Sequence, residues 1–270
     1  MNPTDGKYAL AFQRILTIMN ELRAQCPWDK KQTIHSLRHL TIEETYELSD
    51  AIMEEDWQEI KNELGDILLH VIFYAKIASE NQGFDIADVI HALAEKLIRR
   101  HPHIYGETVA EDDEAVKRNW EMIKLQEKRE RKEEDSVLGG VPKSLPAMVK
   151  AMRIQEKARG VGFDWDNRTQ VWEKVEEEMQ EFKETYQDLP DEQIDHKRAE
   201  EEFGDLIFAL INYARFMNIN PETALEKTNR KFIHRFSYLE RESKKDGRQW
   251  GEMTLAEMDE YWNRAKLLGK

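Results

Sequence analysis

The sequence predicts an all-α protein of two tandem helical bundles, on three observations. Helix breakers are scarce, with 12 Gly and 7 Pro in 270 residues, and the chain is rich in Glu, Lys, Leu, Met and Ala, which cost a helix least. No stretch sustains the period-two alternation with β-branched enrichment that marks strands. The order of motifs in the first half also recurs in the second. Glu44-x-x-Glu47 and Glu63-x-x-Asp66 return as Glu178-x-x-Glu181 and Glu202-x-x-Asp205.

The elements follow in order. Residues 9–22 read as an amphipathic helix, with Leu10, Ile15, Ile18, Met19 and Leu22 near helical spacing. Cys26-Pro27-Trp28-Asp29 interrupts it. Helices then run over 41–55 and 57–80, the second opening after Asp56 and closing near Gly83, and another over 85–100 ahead of Pro102. Residues 115–133 form a long charged helix, and the charge run 124–135 reads as a solvated face or tether. Gly139, Gly140, Pro142 and Pro146 make 136–146 the expected linker, between domains 1–135 and 147–270. In the second domain helices are expected over 146–158, 169–187 and 197–217, then from Pro221, and over 254–268. Trp165-Asp166 precedes its first acidic helix as Trp28-Asp29 precedes the earlier one.

Composition narrows the class. A net charge of -14 argues against nucleic-acid binding, where a basic footprint supplies most of the affinity. It does not exclude a phosphorylated small molecule, because bound Mg²⁺ would reverse the local sign. The single cysteine, Cys26, suits a reducing compartment and forms neither an internal disulfide nor a cysteine-based zinc site. Met1 to Tyr8 lacks the basic and apolar regions of a signal peptide. No run of about 18 apolar residues occurs. The expectation is a cytoplasmic protein without a membrane span or a nucleic-acid partner.

The doubled acids carry the chemistry. Acids three apart share one helix face, and carboxylate pairs turned toward one another repel unless a cation lies between them. Glu44 has an ordinary alternative, a capping box with Thr41. Val175 holds the matching position before Glu178, so what the copies share is the acids and not the cap. Asp66 and Asp205 each lead into an apolar run, where an acid needs a partner. Gly65 and Gly204 stand mid-helix, at a cost of about 1 kcal/mol relative to Ala, which close helix packing or ligand approach would explain. Di-iron and di-manganese bundles pair their glutamates with Glu-x-x-His, and none of the 8 histidines has a Glu three residues before it. Carboxylate-only ligation favours Mg²⁺, with Mn²⁺ as a substitute.

Basic residues recur as well. Lys96 and Arg100 lie one turn apart on a helix, as do Lys231 and Arg235; such pairs grip phosphates or simply keep a surface soluble. Arg198 lies one turn before Glu202 on the same face. His101-Pro102-His103 reads as a turn rather than a ligand pair. Trp28, Trp165 and Trp262 are core residues or platforms for a base. No Walker-type loop, Ser-His-Asp order or Cys-His pair occurs, which points to water activated by a metal.

These residues resemble a known family. Cys26-Pro27-Trp28-Asp29, Glu43-Glu44-x-x-Glu47, Glu63-x-x-Asp66 and Arg99-Arg100-His101-Pro102-His103 look like the first half of MazG. Glu177-Glu178-x-x-Glu181, Glu202-x-x-Asp205 and Asn229-x-Lys231-Phe232-x-x-Arg235-Phe236 look like its second half, and Val141-Pro142-x-x-Leu145-Pro146 like its connector. The resemblance implies an all-α nucleoside triphosphate pyrophosphohydrolase, a homodimer that converts an NTP or dNTP and water into the NMP and pyrophosphate. It assigns the metal to Glu177, Glu178, Glu181, Glu202 and Asp205, the main site, and to Glu43, Glu44, Glu47, Glu63 and Asp66. Lys231, Arg235 and Trp262 match positions for substrate binding or catalysis, joined as phosphate contacts by Arg198, Lys96 and Arg100, with Glu177 or Glu178 as general base. A base-specific dUTP or dCTP hydrolase and a non-catalytic helical scaffold are the alternatives.

Overall fold

A computed structural model of the chain describes residues 3–108, 112–130 and 136–268. It contains eleven α-helices and, among the described residues, no strand. The helices are α1 (Pro3–Gln25), α2 (Ile34–Glu54), α3 (Trp57–Glu80), α4 (Ile86–Arg100), α5 (Pro102–Tyr105), α6 (Asp113–Glu130), α7 (Ala147–Gly160), α8 (Arg168–Glu184), α9 (His196–Phe216), α10 (Pro221–Lys245) and α11 (Leu255–Leu268). No helix among the described residues is long and apolar enough to cross a membrane.

The chain forms two compact units, Met1–Val109 and Ala110–Lys270. Their division lies upstream of the expected linker at 136–146, and electrostatics explains the difference. The charged helix α6 packs on α7 through Glu121, a carboxylate that is 14% exposed and lies just ahead of the charge run. Lys124 lies 2.7 Å from it, Arg153 3.1 Å and Lys157 3.6 Å, and these cations hold Glu121 below the usual carboxylate range against the opposing effect of burial. Residues 131–135 of the charge run lie outside the described residues. The 136–146 segment contains a 3₁₀ turn, Leu138–Gly140, that packs on α7.

In the first unit α2 and α3 form an antiparallel hairpin, with α1 and α4 against α3. Met19, Leu37, Ile72, Phe73 and Ile77 make its core. Helix α2 starts earlier than the apolar spacing suggested. Thr33 caps it, its hydroxyl accepting from the Ser36 amide at 3.1 Å while Ser36 Oγ accepts from the Thr33 amide at 2.8 Å. Thr41 is therefore mid-helix, where its hydroxyl bonds the Leu37 carbonyl and the Tyr74 hydroxyl. The capping-box alternative for Glu44 falls with that shift. His101-Pro102-His103 is a helix junction, with Pro102 opening α5.

The second unit repeats the plan. Helices α8 and α9 pair, α7 packs on α9, and α10 packs on α7, α9 and α11. Val175, Leu206 and Ala209 form the core of the α8/α9 pair, and Leu239, Met253 and Tyr261 join α10 to α11. Each unit clamps its Trp-Asp loop with an arginine. Arg23 donates to the Asp29 and Gln32 carbonyls and lies 2.9 Å from Glu80 on α3. Arg215 on α9 takes both oxygens of Asp164, the second loop's acid. Gly162, at φ 86°, turns that loop in the left-handed region that favours glycine. Gly65 and Gly204 do not mark close packing within the chain, since a Cβ at either would meet nothing within 4 Å.

Phe73 is 2% exposed at the centre of the first core. Phe73→Ala should destabilise the protein by about 3–5 kcal/mol in urea unfolding. A loss under about 1 kcal/mol would mean that this core does not hold the unit together.

Candidate metal and nucleotide site

Each acidic cluster rests on a helix pair whose core fixes its register. In the second unit Asn167 caps α8 and Asp195 caps α9, their side chains accepting from the first-turn amides. Val175, fully buried, lies three residues before Glu178, and Leu206, 8% exposed, lies four after Glu202. Residues at those spacings share a helix face, so burying the apolar pair turns the acids toward one another. Glu178, Glu181 and Glu202 each offer a carboxylate oxygen, and these lie within 4.8 Å of one another. Glu44, Glu47 and Glu63 do the same on α2 and α3 of the first unit.

The titration behaviour reflects that crowding. Glu181 is raised above the usual carboxylate range, first by burial and then by Glu178 and Glu202, against a lowering by Lys174. Glu44 is raised by burial, then by Asp66 and Glu47, against a lowering by His70. Glu63 is pushed up to about 6 by desolvation and by Glu47, Glu59, Glu44 and Asp66. Its Oε2 is buried with no hydrogen-bond partner. An orphaned carboxylate oxygen inside an all-oxygen donor set fits a hard divalent cation such as Mg²⁺ or Mn²⁺.

Not every expected acid joins a trio. Glu43 and Glu177 are exposed on the neighbouring helix position, about 100° round from their partners. Glu177 instead lies 2.8 Å from Lys174, which also sits 2.7 Å from Glu178. These two carboxylates raise the Lys174 pKa. Asp66 and Asp205 stand outside the trios as well; Asp66 is exposed and acts on Glu44 and Glu63 through its charge. Arg198 reaches Glu202 at 3.6 Å along α9.

The two units differ in what adjoins the acids. In the second, Glu178, Asp205 and Lys174 open onto a cavity of about 570 Å³ walled by residues that include Phe163, Trp165 and Phe208, a volume suited to a small-molecule ligand. Ala209 and Asn212, four and seven residues after Asp205, also line it. The same offsets from Asp66 in the first unit give His70 and Phe73, 6% and 2% exposed. Four residues before Glu44 stands Leu40, where the second copy has Lys174. Bulk and core packing thus take the place that the second unit leaves open.

The remaining expected residues lie elsewhere. Lys231, Arg235 and Trp262 do not line this cavity. Arg235 sits 5.8 Å from the Trp262 ring centroid and Phe232 4.9 Å from it, a cation-aromatic cluster between α10 and α11. Lys96 and Arg100 lie on α4, which packs on α3. Lys174, Asp164, Asn212 and Arg215 went unread as site residues, because an isolated Lys or an Arg-Asp pair distant in sequence has no motif.

The raised Glu63 makes the metal-free protein pH-sensitive in a defined sense. Its ionisation is harder in the folded than in the unfolded chain, so stability falls as pH rises from about 4.5 through about 6. In EDTA, Glu63→Gln should therefore melt higher than wild type above pH 6 and equal to it near pH 4. An unchanged difference across that range would mean that Glu63 is not under strain from its neighbours.

Comparison with known proteins completes the description. The model of the MazG nucleotide pyrophosphohydrolase domain matches residues 32–105, which span α2 to α5 of the first unit. The nucleoside triphosphate pyrophosphohydrolase/pyrophosphatase MazG of Thermotoga maritima is 45% identical over 259 residues, covering 95% of this chain and 96% of that protein. The nucleoside triphosphate pyrophosphohydrolase of Escherichia coli is 42% identical over 256 residues, covering 94% of this chain and 96% of its own. YabN of Bacillus subtilis, an uncharacterized protein, is 47% identical over 257 residues, covering 94% of this chain and 51% of that protein. With identity at this level over nearly the full length of the chain and of both named enzymes, the chain belongs to the MazG family of nucleotide pyrophosphohydrolases.

Proposed function

We propose that this chain is a divalent-metal-dependent nucleoside triphosphate pyrophosphohydrolase, cleaving NTPs or dNTPs between the α- and β-phosphates to release the NMP and pyrophosphate. One observation carries the reading: Glu178 of the Glu178–Glu181–Glu202 trio lines, together with Asp205 and Lys174, a cavity also lined by Phe163, Trp165 and Phe208. Acids and aromatic rings lining one cavity match a ligand that pairs a polyphosphate with a base. The names of the Thermotoga and Escherichia relatives support the same activity.

Glu178, Glu181 and Glu202 would hold the cation, Mg²⁺ by preference and Mn²⁺ as a substitute, with Asp205 beside them. When bound, the ion would neutralise phosphate charge and activate water for attack. Lys174, already drawn in by two carboxylates, supplies a further positive charge in the cavity lining. Glu177 or Glu178 is the carboxylate assigned to take the proton from the attacking water. The oxygen of that water bonds to the α-phosphorus and the bridging oxygen leaves with pyrophosphate; Lys231 and Arg235, which the family resemblance ties to substrate, lie on α10 outside the lining of this cavity. The first trio is assigned a cation as well.

We also propose that the chain works as a homodimer. Ile42, Leu64 and Leu68 on α2 and α3, and Trp172, Phe203 and Leu210 on α8 and α9, are large apolar side chains at 40% exposure or more. Apolar faces of this kind commonly meet a second copy through a self-complementary contact.

Mixed NTPs with Mg²⁺ should yield NMP and pyrophosphate, not NDP and phosphate. Glu202→Gln or Asp205→Asn should lower kcat/KM by at least about a hundredfold, including in a chain whose first cluster is silenced by Glu44→Gln and Glu63→Gln. Near wild-type turnover in that combined variant would overturn the assignment. Sedimentation equilibrium should return twice the chain mass, and Leu64→Glu with Phe203→Glu should shift it toward the single chain. A wild-type protein that sediments as one chain at micromolar concentration would refute the dimer.

A further inference from the structure

The cavity beside Glu178 is lined by a side chain with a polar group that no described residue satisfies. Gln155 on α7 lines it and is 7% exposed. Its Nε2 donates to the Phe208 carbonyl on α9 at 2.8 Å. That bond fixes the amide's orientation, since the flipped amide would set oxygen against oxygen. Oε1 is then left buried without a hydrogen-bond partner. A dry, unpaired acceptor is costly and uncommon in folded proteins. The neighbouring polar side chains are already engaged. Arg215 holds Asp164 and donates to Asn212 Oδ1 at 3.0 and 2.8 Å. The same lining includes Ile154 and Ala158 on its own helix and Phe163 and Trp165 on the loop.

We infer that Gln155 reads the nucleobase, its Oε1 accepting a hydrogen bond from a ring N–H or an exocyclic amino group of the base. Gln155 is thereby a specificity-determining residue and takes no part in bond breaking. The inference rests on the nucleotide reading of this cavity. The fold itself supplies a reason for an amide at this position: Nε2 ties α7 to α9, and Oε1 stays unpaired. An apolar side chain here would serve packing as well but would leave the donor of an incoming base unpaired.

The test uses two substrate pairs that differ only by the donor: ATP against purine riboside triphosphate, which lacks the 6-amino group, and UTP against N3-methyl-UTP. In wild type, at least one donor-less analogue should show a KM about tenfold above its parent, with kcat little changed. Gln155→Met, close in volume, should raise the KM of that parent to the level of its analogue and leave the analogue's KM unmoved. A purely structural role would raise both members of each pair together, and that result would overturn the proposal. Should the variant not fold, the wild type decides alone, because equal KM values within both pairs would also overturn it. If wild type hydrolyses no NTP at all, the nucleotide reading falls and this inference with it. Hydrolysis with the same ratios in wild type and variant removes only the role of Gln155.

Discussion

Three carboxylates held within 4.8 Å of one another repel, and each unit is arranged to keep them there. The helix pairs α2/α3 and α8/α9 do the holding. Their apolar faces bury Leu37, Ile72 and Phe73 in one unit and Val175, Leu206 and Ala209 in the other. Because acids and core residues alternate at three- and four-residue spacing, the packing that stabilises the hairpin also forces the acids together. The strain remains visible in Glu63, pushed up to about 6, and in its unpaired Oε2. A cation is the simplest group that relieves both.

The same constraint is met with different surroundings in the two units. In the second, Lys174 is drawn against Glu178 and part of the repulsion is cancelled locally. A cavity then opens where Ala209 and Asn212 leave room. In the first, Leu40, His70 and Phe73 stand at the corresponding positions, and His70 is the group that lowers Glu44. Equal acid signatures thus coexist with unequal space. Charge geometry and ligand volume are separately encoded, the first by the acids and the second by residues a turn or two farther along the helices.

Much of this was legible in the sequence, for reasons that can be named. Helix α3 opens after Asp56 and ends at Glu80 as the cap and the turn residues require, and the doubled acid spacing led directly to both trios. The start of α2 was missed because the Thr33–Ser36 capping box lies upstream of the apolar periodicity. The packing of α6 has no local signature because it is decided by tertiary partners: Arg153 and Lys157 reach Glu121, just ahead of the charge run, from α7. Glu43 and Glu177 look equivalent to their neighbours in the chain, and only the helical rotation separates them from the trios. The cavity has no local signature, since Gln155, Lys174 and Arg215 come from three helices. Gly65 and Gly204 have open space beside them, and the packing within the chain does not explain them.

The central claim is that the clustered acids are cation sites. Titration of Mn²⁺ into the protein, followed by the electron paramagnetic resonance of the unbound ion, tests it without reference to turnover. Binding should be depleted by Glu181→Gln with Glu202→Gln, depleted separately by Glu44→Gln with Glu63→Gln, and lost when all four changes are combined. Mn²⁺ binding that matches wild type in the fourfold variant would contradict the account.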